Sequence, residues 1–168
     1  PAEVRRGCHV PNALYKTEPN EHCRLGATKD ELDGIMIGDS FANHFTGMVD
    51  ILARPNNIML MDYTMDSCPP ILGYTAEMPP VYAAHCAKRN ERVFSLIEQN
   101  KYRYVVLAAI WPKDARARDL VEASLRRVVE NSGQVIVILS NQHIEKAASC
   151  PIRRLMFDTG RNCSVAQS

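Results

Sequence analysis

Asp33-Gly34-Ile35-Met36-Ile37-Gly38-Asp39-Ser40-Phe41-Ala42-Asn43-His44 is where the reading of this chain turns. Ile35, Met36 and Ile37 form a short apolar run that stops at a glycine, as a strand does when helices cover both faces of its sheet. Phe41, Phe45, Met48, Val49 and Leu52 then recur at i, i+4, i+7, i+8 and i+11, the stripe of an amphipathic helix. Ser40 therefore sits between the carboxyl end of a strand and the amino end of a helix. Free backbone N–H groups and the positive end of the helix converge there and can stabilise an oxyanion or a phosphate. Ser and Asp are also common N-caps, so the same turn reads as a helix cap alone.

Outward from this stretch, three more apolar runs read as strands: 57–63, 104–111 and 134–139. Helical patterns fall between them. The first spans 41–53, before Pro55. The second spans 80–99, with Pro80 at its start and Val93, Leu96 and Ile97 inward. The third spans 114–131, with Leu120, Val121, Leu125, Val128 and Val129 inward. In the third, Arg118–Glu122, Glu122–Arg126 and Arg126–Glu130 make i,i+4 pairs on a solvated face. The alternation βαβαβαβ predicts a parallel sheet with right-handed crossovers, one α/β domain over 1–168. Residues 1–32 read as an irregular lead-in, 33–140 as the core and 141–168 as a terminal loop.

Composition fits that picture. The chain has 168 residues, 46% hydrophobic and 23% charged, enough for one sizeable core. Its net charge of +1 argues against an electrostatic nucleic-acid binder. No apolar run approaches a membrane span, and the amino end is not a signal peptide. Six cysteines fall into three local pairs: Cys8 with Cys23, Cys68 with Cys86, Cys150 with Cys163. None has zinc-finger spacing. They read either as buried thiols of a cytosolic protein or as disulfides of an oxidising compartment, and the grouping favours disulfides. Each would close a loop of 13 to 18 residues, worth on the order of 3 kcal/mol. His9 and His22 flank the first pair. Lacking a third ligand at metal spacing, they read as surface histidines, and no metal or cofactor is expected.

Gly-Asp-Ser after an apolar strand, followed by Ala-x-His on the helix (Gly38-Asp39-Ser40, Ala42-Asn43-His44), resembles the first block of the SGNH (GDSL-like) hydrolase superfamily. The likeness is nearest to the domains attached to acyltransferase-3 membrane proteins that O-acetylate bacterial surface glycans, lipopolysaccharide O-antigen among them. Those usually read Gly-Asp-Ser-His-Ala-x-His, so Phe41 is a departure. Ser67-Cys68-Pro69-Pro70 resembles the second block, and the cysteine pairs of that subset are similarly placed. Ala108-Ala109-Ile110-Trp111 resembles its third strand's ending, where other members carry Gly-x-Asn-Asp.

The resemblance, over roughly residues 8–163, implies a flavodoxin-like three-layer α/β/α sandwich with Ser40 as nucleophile and oxyanion donor. It implies a periplasmic domain of an inner-membrane protein, monomeric and soluble in itself. An acyl donor would be delivered by the membrane acyltransferase domain and a glycan would accept. Asp39, His44, Gly73, Trp111 and His143 are candidate site-lining residues. Gly73 is either an oxyanion donor or a turn glycine, and Trp111 either lines the site or caps the sheet edge. His44 either meets substrate or steadies the turn. The family's Asp-x-x-His block, which supplies base and orienting acid, has no counterpart after the fourth strand, since Asp158 is followed by Thr159, Gly160 and Arg161. The expectation is a fragment that lacks its acid–base pair and turns over esters near the background rate, with His143 the weaker substitute. The other readings are a carbohydrate esterase of the same superfamily and a non-catalytic module that binds glycan or phosphate.

Overall fold

The structure is a computed structural model that describes residues 8–10, 20, 22–74 and 78–140. Its elements, in chain order, are β1 (Arg24–Gly26), β2 (Gly34–Gly38), α1 (Ser40–Ala53), a 3-10 turn (Arg54–Asn56) and β3 (Met59–Thr64). There follow α2 (Pro80–Asn100), β4 (Tyr104–Ala108), α3 (Ala115–Glu130) and β5 (Gln134–Ile138). The sheet order is β1-β3-β2-β4-β5, with β3, β2, β4 and β5 parallel. β1 adds antiparallel to β3, pairing Leu25 with Leu60. The lead-in is thus not irregular throughout, and the sheet is mixed. Three residues are too few for periodicity to mark a strand; β3's free edge organises them.

Alternation along the strands divides the core. Ile35, Ile37, Met61, Tyr63, Val105 and Leu107 face α2 and α3, meeting Val93, Phe94, Ile97 and Val128. Met36, Leu60, Val106 and Ala108 face α1, meeting Ala42 and Val49. Every residue of β2 is buried, which is why its run is apolar on both sides. Burying each of Val93, Phe94 and Ile97 contributes about 1.5–3 kcal/mol. Arg89 is buried among them, its guanidinium 4.0 Å from the centre of the Tyr63 ring.

Two inward stripes differ from those that spacing predicts. In α1 the buried residues are Ala42, Thr46, Val49 and Ala53, while Met48 and Leu52 are 46% and 59% exposed. Small side chains let the helix lie close on the sheet over β1, β2 and β3. The larger ones turn toward an apolar groove over β4 and β5, lined also by Tyr104, Val106, Ile136 and Ile138. In α3, Ala117, Ser124 and Val128 are buried and Val129 is 59% exposed. Of its expected ion pairs, Arg126–Glu122 forms at 2.7 Å, and Arg127 instead reaches Glu98 of α2.

The Cys8–Cys23 and Cys68–Cys86 disulfides are formed, as the grouping of cysteines predicts. Cys150 and Cys163 lie outside the described residues. Cys68 and Cys86 are fully buried with Met65 and lie 18 residues apart. Removing this bridge by Cys68→Ala with Cys86→Ala should cost about 3 kcal/mol, lowering Tm by roughly 6–12 °C. Scanning calorimetry measures this, and an unchanged Tm would contradict it.

Candidate active site

In this strand order β2 is where the chain reverses direction across the sheet. It leaves β2 through α1 to β3 on one side, then returns through α2 to β4 on the other. α1, which follows β2, packs on one face and α3, which follows β4, on the other, so the loops leaving β2 and β4 part in opposite directions. A crevice at such a switch point is where open α/β sheets build their sites. Gly38, Asp39 and Ser40 stand at this switch point, at the carboxyl end of β2.

Gly38 closes β2 with φ +150°, and a Cβ there would lie 1.7 Å from the Ala108 carbonyl oxygen of β4 and 2.7 Å from Ala42 Cβ. No side chain fits between strand and helix at that point. Asp39 follows and is only 5% exposed. Its Oδ1 accepts from Phe41 N and its Oδ2 from Ile110 N, both at 2.9 Å. Burial raises its carboxyl above the ordinary value of 3.8, against the hydrogen bonds from Ile110, Phe41 and Ala42, which lower it. This carboxylate ends β4 at Ala108, because the Ile110 amide turns to it instead of continuing the ladder. The strand is accordingly shorter than the 104–111 run suggests.

Asp39, not Ser40, is the N-cap of α1. Ser40 is the first helical residue, partly buried, and its hydroxyl enters none of the hydrogen bonds among the described residues. The first-turn amides are largely committed: Phe41 and Ala42 bond the Asp39 side chain, and Asn43 N donates to Asp39 O at 3.3 Å. The amide left over is that of Ser40. A hydroxyl and an N–H therefore remain together on one residue at the positive end of a 14-residue helix.

The other candidates are placed around this point. His44 is exposed one turn along α1, at i+4 from Ser40 and so on the same stripe. Trp111 donates its Nε1–H to the Ile138 carbonyl at 3.0 Å and packs against the α2/α3 core, tying the exits of β4 and β5 together. Gly73 has φ +72°, in a turn closed by Tyr74 N donating to Ile71 O, with Leu120 of α3 beside it. His143 lies outside the described residues.

Sequence reading missed the supports of this edge. Asn90, 1% exposed, donates its Nδ2 hydrogens to the carbonyls of Pro69 at 2.8 Å and Ile71 at 3.1 Å. Leu72 N donates to Ser124 Oγ at 2.9 Å. With the Cys68–Cys86 bridge, these fix the loop that leaves β3. Asn90 was legible: Cys86, Asn90, Val93 and Ile97 repeat at i, i+4, i+7 and i+11, the buried stripe of α2. His9 was not legible, since nothing in the lead-in is periodic. It is partly buried, not on the open surface, and its Nδ1 lies 3.2 Å from Thr64 Oγ1. Burial lowers its pKa below 6.5, against the raising influence of Asp66, so the ring is neutral at neutral pH.

A family model for the SGNH domain (fused to AT3 domains) matches residues 7–168. No curated protein and no solved structure matches the chain.

Proposed function

Because this chain belongs to the family of SGNH domains fused to AT3 domains, we propose that it transfers an acetyl group through Ser40 to a bacterial surface polysaccharide. The observation that carries this is the division of labour in Gly38-Asp39-Ser40. Asp39 caps the helix, which leaves the Ser40 hydroxyl and amide uncommitted among the described residues, at the switch point of the sheet.

The chemistry follows from that pair. Ser40 Oγ attacks the carbonyl of the acyl donor and loses its proton to a base, and the Ser40 N–H faces the oxyanion that develops. Collapse expels the donor's leaving group and leaves an acyl-serine. A sugar hydroxyl then attacks that ester, and Ser40 is regenerated. Transfer, as opposed to hydrolysis, is the reading because the family joins such domains to membrane acyltransferase domains, which would present the acyl group. The two buried disulfides support an oxidising compartment, the bacterial periplasm.

Reaction with a fluorophosphonate probe, read by peptide mass spectrometry, tests the proposal. Label on Ser40, in this chain or in a form extended at the carboxyl end, supports acyl-serine chemistry. Absence of label in both would leave a module that binds glycan or phosphate without catalysis. Adding a surface oligosaccharide to the acyl-enzyme separates transferase from esterase by whether the acetyl group appears on sugar.

A further inference from the structure

His9 is carried to the carboxyl edge of the sheet by construction. Cys8 is bonded to Cys23, whose carbonyl accepts from Asp62 N of β3 at 2.8 Å. Val10 N donates to Thr64 O at 3.3 Å, and Asp66 N donates to Val10 O at 2.9 Å, so residues 8–10 run beside the exit of β3. Between these anchors, His9 Nδ1 meets the Thr64 hydroxyl.

Thr64 is opposite Gly38 in the β2–β3 register, and Met65 N donates to Gly38 O at 2.9 Å. Leu60 packs in the cluster under α1, and residues two and four further along a strand share its face. Thr64 therefore points to the side of the sheet on which α1 begins, two residues after Gly38. The charges that reach the His9 ring are those of Asp66, Asp62, Arg89 and Asp39, the last being the cap beside Ser40.

We propose that His9 is a substrate-contacting residue of the site headed by Ser40, its imidazole edge away from Thr64 hydrogen-bonding the acceptor hydroxyl. This rests on the acyl-serine reading above. In the transfer step the acceptor oxygen bonds to the acyl carbon, the bond from that carbon to Ser40 Oγ breaks, and the acceptor's proton ends on the Ser40 hydroxyl. His9 orients the hydroxyl through this exchange and takes no net proton. The Cys8–Cys23 disulfide then serves the site as well as the fold, since it ties the segment that carries His9.

Two measurements test this. Ring resonances of the histidines are titrated by NMR in the wild-type chain and in Ser40→Asp. The new carboxylate should raise the pKa of His9 by on the order of one unit. In the acylating form of the protein, His9→Ala should raise KM for an oligosaccharide acceptor roughly tenfold, the loss of about one hydrogen bond. Fluorophosphonate labelling of Ser40 should not change, and His9→Gln should restore KM in part. A His9 pKa that ignores Ser40→Asp, or an unaltered KM in His9→Ala, overturns the proposal. A Ser40 that never takes label fells the acyl-serine reading instead, and the titration still decides whether His9 borders Ser40.

Discussion

Ser40→Ala should lower acyl transfer by at least about 10⁴-fold, since removing the nucleophile of a serine hydrolase leaves only binding and oxyanion stabilisation. Stability should stay within about 0.5 kcal/mol of wild type, because the Ser40 hydroxyl enters none of the hydrogen bonds among the described residues and alanine is a good helix former. The two readouts together make the test sharp. A serine that served as the helix cap would cost about 1 kcal/mol when replaced and leave turnover alone. Asp39 already holds that post, so the substitution should separate chemistry from folding. The measurements are acetyl transfer in the form of the protein that takes fluorophosphonate label, and thermal unfolding of the same variant. Residual transfer within tenfold of wild type would rule out Ser40 as the nucleophile.

Gly38→Ala should be the most damaging single substitution at this edge. The added Cβ would stand 1.7 Å from the Ala108 carbonyl oxygen, which is backbone and cannot swing aside. The φ of +150° is itself strained for any residue with a side chain. Relief requires β2 to part from β4 or α1 to lift from the sheet, and either breaks the packing that positions Asp39 and Ser40. A loss of more than about 4 kcal/mol, or failure to fold, is expected. Gly47→Ala is the control. Gly47 lies within α1 with nothing within 4 Å of its would-be Cβ, so alanine should stabilise by about 0.5–1 kcal/mol. Chemical denaturation of both variants checks the pair. Equal effects would mean that the helix, not the strand contact, governs position 38.

The contrast explains why the turn reads Gly-Asp-Ser. Glycine is needed where strand and helix nearly touch, and aspartate is needed to accept from the first turn and from the Ile110 amide together. Serine alone has no structural duty there. The positive φ at Gly38 and the buried carboxylate of Asp39 hold Ser40 in place with its hydroxyl outside the hydrogen bonds among the described residues.

By themselves the residues determined the succession of strands and helices from β2 to β5, because runs such as Ile35-Met36-Ile37 and Tyr104–Ala108 are apolar at the period of a buried strand. They also determined the local cysteine pairs Cys8–Cys23 and Cys68–Cys86, since short loop closure favours neighbours, and the family through Gly38-Asp39-Ser40. They did not determine which of Asp39 and Ser40 caps the helix. That depended on the amide of Ile110, 71 residues away, arriving within reach of a carboxylate. Nor did they reveal β1, Asn90's hold on the loop after β3, or His9 at the Thr64 hydroxyl. Each of these is a contact between segments far apart in the chain; the helical stripe of α2 shows that Asn90 faces inward but not which carbonyls it meets, and around β1 and His9 no periodicity marks the residues at all. Local sequence carries the preference for strand or helix, and only the packed sheet decides what stands opposite what.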